Sequence, residues 1–376
     1  MKIKAIALLS LLCIGLFTTS CDPEDVKPVL GINCTRTQCL DLEKFAEGIE
    51  SRLDGKVMKY GYHIRSGFAV HEKAVGLAKT FADGGNVNFT LDQRFNPASV
   101  TKTVTAVALL RAMEQNGIGI HQSISPYLPT SWNAHSSINA ITFEQVLGHR
   151  SGFRNSVAET YTHAGVKKII EAGVNSTDKV YKYQNVNYAL ARVLLAHIIG
   201  FNDLSFVGEE IEISLAFQAY LNDELFSPVG ISDVKFTPEA NAALFYAFPA
   251  GAKKGTAYGD WILREGSAGI QLSIHDLEEF LMRMWTPGTY LSQNMLDQVK
   301  QYHLGAFEYN SSQGFPDGIA YGHNGYFPPW DGNLNAELSS VIVRFASGVQ
   351  VVLVINGPVS ATSTVVDAYQ AAWENK

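Results

Sequence analysis

Phe95-Asn96-Pro97-Ala98-Ser99-Val100-Thr101-Lys102 leads into an apolar run that continues through Val104, Val107 and Ala108 and from Leu110 to Met113. Behind Pro97 the chain is hydrophobic nearly all round, so the spacing predicts a helix over 98–115 that lies within a core. Gly117 is a natural stop, and Pro126 and Pro129 punctuate the loop beyond it. Ser99 and Lys102 stand three residues apart, which puts hydroxyl and ammonium on one helix face. A serine hydroxyl at its free pKa is a poor nucleophile, and a lysine can activate it where burial and neighbouring cations depress the amine's pKa. The positive helix end also favours negative charge developing on the serine oxygen. Ser176 with Lys179 and Ser232 with Lys235 repeat the spacing, but one lies in a polar Asn-Ser-Thr-Asp stretch and the other follows Pro228 and Gly230. Only Ser99 opens an apolar helix that can hold a lysine away from water. More simply, Ser99 is a helix cap and Lys102 a surface charge, the commoner fate of such pairs.

Outward from this helix, 56–65 and 74–81 alternate apolar and polar residues and read as antiparallel strands. Near the other end, 338–345 and 349–356 flank Ser347-Gly348 as a hairpin, and a last helix is expected over 362–373. Between them, 142–147, 187–199 and 209–225 have helical spacing. Strands at both ends with helices between imply an α+β fold: an antiparallel sheet built from the N- and C-terminal segments, flanked by helices, with a mostly helical lobe inserted at about 120–260. The folded domain is expected to span 41–376.

Two further groups carry possible chemistry. Tyr183-Gln184-Asn185 precedes a helix; a phenol in a cationic pocket can shuttle a proton, and an amide can orient a lysine and a substrate amide. His323-Asn324-Gly325 precedes the terminal hairpin. On a strand bordering a cleft, the imidazole would face substrate, Gly325 would permit close approach, and the backbone amide of Tyr326 would join that of Ser99 as an oxyanion donor. Singly, each pattern is cheap. Tyr220 with Asn222, and His163 and His303 before glycines, have the same spacings.

In the order Ser-x-x-Lys, Tyr-x-Asn, His-x-Gly within one chain, these motifs are no longer cheap, and the sequence resembles the class C β-lactamase and penicillin-binding-protein-like serine hydrolases. Supporting stretches run from Phe95 to Lys102, through Leu147-Gly148-His149-Arg150-Ser151-Gly152, Ser227-Pro228-Val229-Gly230-Ile231, and Ser267-Ala268-Gly269 with Ser273 and Asp276-Leu277. The resemblance implies a β-lactamase/transpeptidase-like fold and an acyl-enzyme on Ser99, with Lys102 and Tyr183 catalytic and Asn185, His323 and Gly325 binding substrate. The substrate would be an ester, an amide, a D-amino-acid peptide or a β-lactam. Class C β-lactamases carry Lys where this chain has His323, whereas many esterases, peptidases and amidases of the family carry His. A mostly neutral imidazole holds a substrate carboxylate less firmly than an ammonium, so carboxylate substrates are expected to bind better in mild acid. The stretch 326–333, with Pro328-Pro329-Trp330, is also bulkier than the family's usual turn. The alternative of another class is a non-catalytic cleft protein that holds cell-wall peptide.

Other enzyme classes lack their signatures. No serine sits in Gly-x-Ser-x-Gly, no His-Glu-x-x-His occurs, and the ten histidines are scattered, so neither a metal centre nor a cofactor is expected. The chain has 376 residues, 46% hydrophobic and 17% charged, with a formal charge of −7 and no basic block, which excludes nucleic acid as an expected partner. Residues 1–20, with Lys2, Lys4 and an apolar run before Thr18-Thr19-Ser20, read as a secretion signal. Its removal takes the charge to −9. Cys21 then becomes a candidate for lipidation, 21–40 a tether to a membrane, and the cell envelope the expected location. Cys34 and Cys39, close together outside the cytoplasm, are expected to form a small disulfide.

Overall fold

The C-terminal strands over 338–344 and 350–356 are buried on both faces because helices cover both. A computed structural model describes residues 33–154, 161–175, 179–201, 208–249, 253–328 and 336–376. The expected signal, Cys21 and residues 22–32 lie outside them, as do Ser176, Pro329 and Trp330.

The described residues begin with β1 (Gln38–Leu40) and α1 (Leu42–Leu53), followed by β2 (Lys59–Ser66), β3 (Ala69–Lys79) and β4 (Val87–Asn88). A 3₁₀ turn, Ala98–Val100, feeds α2 (Thr101–Gln115). Next come α3 (Phe143–Leu147), α4 (His163–Ala172), α5 (Val186–Ile198), α6 (Glu209–Tyr220), α7 (Ile274–Met284) and α8 (Gln293–Tyr302). The last elements are β5 (Phe307–Tyr309), β6 (Ala320–Phe327), β7 (Leu338–Arg344), β8 (Gln350–Asn356), α9 (Ala361–Ala371) and β9 (Trp373–Asn375).

Strand order β4-β3-β2-β8-β7-β6-β5 makes one antiparallel sheet in which N-terminal β2 lies beside C-terminal β8. The two-residue period of a strand sends alternate side chains to different cores. Val351, Leu353 and Ile355 join Phe45, Ile49 and Tyr369 on the α1/α9 side. Val352 and Val354 join the larger cluster that contains Val104, Leu190 and Leu277 of α2, α5 and α7. Helices α3 to α6 form the expected inserted lobe, although the described residues of 227–249 and 253–273 behind them are mostly irregular.

Some expectations shift. β1 pairs with β9, and a Cys34–Cys39 disulfide braces its approach, so 33–40 belongs to the folded body and not to a tether. The helix expected over 209–225 ends at Tyr220 and continues as a π-helical turn, Leu221–Phe226, ahead of Pro228. The last helix stops at Ala371 because the chain turns to form β9.

Candidate active site

Ser99 lies on the 3₁₀ turn that enters α2. Its predecessor Ala98 has φ of 53°, a left-handed value that a non-glycine residue holds only where its surroundings fix it. They do so here: buried Asn96 accepts hydrogen bonds through Oδ1 from the Ala98 amide at 3.0 Å and the Gly269 amide at 3.2 Å. The turn is thereby pinned to the loop that follows the helical lobe. Neither the 3₁₀ turn nor α2 receives a side-chain cap bond, so the capping alternative for Ser99 falls away.

Lys102 is fully buried, and Nζ donates to Ser99 Oγ at 3.0 Å and to the Ser267 carbonyl at 2.7 Å. Burial is what holds its amine far below the usual lysine range, and among the described residues no carboxylate offsets it. The rings of Tyr183 and Tyr188 stand 5.0 and 5.9 Å away. Burial alone does not make a lysine reactive: Lys59 is equally enclosed, with Phe245 at 4.3 Å, and its pKa is lowered to about 7, but its amine bonds to the Leu244 carbonyl, with no nucleophile beside it. By contrast, Lys235 of the rival Ser232 pair is a surface side chain paired with Asp233.

Tyr183 is partly exposed, and its phenol lies beside Ser99. Burial pushes that phenol up, so it stays protonated at neutral pH. The strand-like stretch before α5 is held by His149, which adopts φ of 56°. The His149 carbonyl accepts from the Lys182 amide at 2.9 Å, and Nδ1 accepts from the Gln184 amide at 3.1 Å. The His149 ring lies 4.5 Å from that of Tyr183. Burial, with Lys102 and His323 adding repulsion, pushes His149 down to about 2, so it is a neutral support. Asn185 donates to the Tyr161 hydroxyl at 2.7 Å and faces the cleft. The expected orienting of Lys102 falls instead to the Ser267 carbonyl.

Strand β6 brings the third motif. His323 is 1% exposed, packed 5.0 Å from the Phe307 ring and 6.3 Å from the Tyr183 ring. Its Nδ1 lies 2.6 Å from the Asn324 carbonyl, and burial with Lys102 nearby pushes its pKa down to about 3. His323 therefore sits behind Tyr183 and stays neutral, where the sequence suggested an imidazole facing substrate and charging in mild acid. Gly325 is needed for close approach, but of the nucleophile's turn: a Cβ there would meet the Pro97 carbonyl oxygen at 2.1 Å and Ser340 Oγ at 2.5 Å. Tyr326 follows at the cleft, its hydroxyl donating to Glu337 at 2.6 Å.

These elements border a cavity of about 620 Å³ lined by Ser99, Asn185, Asp260, Trp261, Arg264 and Tyr326 among others. Arg264 is the one cation among its described lining residues. Asn96, His149, Tyr161, Ser267 and Arg264 received no role from the sequence. Their signals were weak, because Asn96, His149, Tyr161 and Ser267 act through contacts that no local spacing encodes, and Arg264 is brought to the cavity only by the fold.

A protein-family model described as Beta-lactamase matches residues 54–374. Among solved structures, a D-amino acid amidase from Ochrobactrum anthropi superposes with TM-score 0.68 at 16% identity, covering 88% of this chain and 97% of that one. A beta-lactamase/D-alanine carboxypeptidase from Yersinia pestis gives 0.66 at 13%, over 88% and 96%. An octameric penicillin-binding protein homologue from Pyrococcus abyssi gives 0.62 at 16%, over 88% and 75%. At these identities the likeness establishes the fold.

Proposed function

This chain belongs to the beta-lactamase family, and from that premise we propose that it is a serine hydrolase that works through an acyl-enzyme on Ser99, cleaving an ester, an amide or a D-amino-acid peptide. The observation that carries this is the 3.0 Å contact between Ser99 Oγ and a buried lysine with no counter-ion among the described residues. The opposite shifts of the two neighbours divide the roles. Lys102, deprotonated by burial, accepts the Ser99 proton, and Tyr183, kept protonated, donates through its hydroxyl. Ser99 Oγ then bonds to the substrate carbonyl carbon, and the oxyanion is met by the backbone amides of Ser99 and Tyr326. Collapse expels the alcohol or amine, which takes its proton from the Lys102 ammonium. Water repeats the sequence in reverse to free the acid and Ser99. A nitrophenyl ester offered in excess tests this, because an accumulating acyl-enzyme gives a burst equal to the enzyme concentration whenever deacylation is the slower step. Zero hydrolysis of such esters and of D-amino-acid amides alike would favour a cleft protein that only binds.

Because His323 stays neutral, the ratio of kcat/KM for carboxylate-bearing over neutral substrates should be flat from pH 7 to 5. A rise in mild acid would place a charging imidazole at the substrate. A substrate carboxylate should instead meet Arg264. Arg264→Ala is expected to raise KM for carboxylate substrates about tenfold, in keeping with loss of a charge-assisted bond of roughly 1.5 kcal/mol, with neutral esters unaffected. Equal effects on both classes would remove Arg264 from recognition.

A further inference from the structure

The ten histidines look scattered along the chain, yet the fold gathers two of them with a carboxylate. His63 on β2 and Glu72 on β3 are direct cross-strand partners. His275, on the first turn of α7, reaches the same point because a capping box between Ser273 and Asp276 fixes where that helix starts. Glu72 Oε2 lies 3.4 Å from His63 Nε2 and 3.1 Å from His275 Nε2. One ligand atom from each of the three residues lies within 4.8 Å of the others.

We propose that His63, Glu72 and His275 form a binding site for a divalent transition ion of the zinc type, independent of the serine chemistry. The two distances from Glu72 suit it: bonds of about 2.0–2.1 Å arranged as a tetrahedron place neighbouring ligand atoms roughly 3.4 Å apart. Two imidazoles and one carboxylate are the donor set such an ion takes when its fourth position stays open. The three residues line a cavity of about 540 Å³, which Val70 and Ile231 also line and which none of the motif residues enters.

The surroundings are those of a metal ligand set. Asp92 Oδ1 lies 2.7 Å from His275 Nδ1, the outer carboxylate that fixes an imidazole's tautomer and turns its Nε2 lone pair to the ion. The neighbouring charges are otherwise matched: Arg65 pairs with Glu278, Arg94 with Asp276, and Arg283 with Glu279. Glu72 pairs with His63 and His275, and Asp92 with His275, so two carboxylates face the site, and the cation that also acts on Glu72 is Arg65, already bonded to Glu278. Bound there, the ion would pin the β2–β3 hairpin to the start of α7. It is a site that a search for adjacent histidines in sequence overlooks.

The test is equilibrium dialysis of untagged, chelator-stripped full chain against zinc alone. One zinc per chain at micromolar free metal is expected, with a rise in melting temperature of about 3 °C or more at a hundredfold excess over Kd. His275→Ala and Glu72→Gln change partly exposed side chains. Both variants should lose the zinc and the thermal shift while keeping the wild-type circular dichroism and ester turnover. Asp92→Asn, which removes no ligand, should weaken binding about tenfold to a hundredfold. Wild-type chain that takes up no zinc at micromolar concentration would overturn the site. So would zinc content or affinity that all three variants leave unchanged. The cluster would then be an imidazolium shared between two carboxylates.

Discussion

Ser99→Ala is expected to lower turnover of an activated ester by about 10³-fold or more, with the unfolding midpoint unmoved. Removing a nucleophile that works as a unit with its base deletes most of the chemistry and leaves only binding and oxyanion contacts. The stability half follows from what the hydroxyl does in the fold. It caps no helix, and its partners are Lys102 and Tyr183, so the about 0.5–2 kcal/mol lost with a capping serine does not apply. Activity loss accompanied by a large fall in melting temperature would return Ser99 to a structural role. Unchanged turnover would exclude it as nucleophile.

Lys102→Met should move activity and stability in opposite directions. The variant loses the proton acceptor, and acylation is expected to fall by about 10³-fold. Yet it also removes an amine enclosed with no counter-ion among the described residues, so the fold should gain roughly 1 to 2 kcal/mol. The sign has a pH signature. Lys102 has a lower pKa folded than unfolded, so above its folded pKa the unfolded chain holds the extra proton, and wild-type stability climbs with pH until about 10.4. The methionine variant's advantage should therefore be largest in acid and shrink toward pH 10. Wild-type kcat/KM should correspondingly drop as pH falls through the folded pKa of Lys102. Lys102→Arg tests the proton transfer separately, because a guanidinium keeps charge and hydrogen bonds but does not deprotonate, and it should be as inactive as methionine. Denaturant unfolding at several pH values, run beside acylation rates, reads both effects. An active Lys102→Arg would transfer the base's role to Tyr183.

These expectations rest on features that differ in how openly the sequence displays them. The buried helix behind Ser99 was legible because an all-round apolar run has few other fates, and the terminal sheet because Val351 to Ile355 can be covered only by two layers. Helices α7 and α8 went unread, although Ile274, Leu277, Leu281 and Met284 bury one face of α7 at helical spacing behind the Ser273 cap. Within the site, Ser99 and Lys102 are three residues apart and share a helical turn, so their meeting is dictated locally. Tyr183 depends on His149, which grips the chain on either side of it through two backbone bonds. Such a support has no side-chain pattern to announce it. The position of His323 was visible and its environment was not: whether an imidazole on β6 faces substrate or packs under Tyr183 depends on β5 bringing Phe307 against it. Gly325 shows the same division. Its small size could be read as room for close approach, and only the fold identifies the approaching group as the Pro97 carbonyl.

The central claim is that Ser99 carries the acyl group, and intact mass with peptide mapping tests it most directly. Incubated with a fluorophosphonate or a fluorescent penicillin, the wild-type chain should gain one adduct, mapped to the peptide containing Ser99, and Ser99→Ala should gain none. An adduct on another residue, or full turnover by a chain whose Ser99 stays unmodified and dispensable, would contradict it.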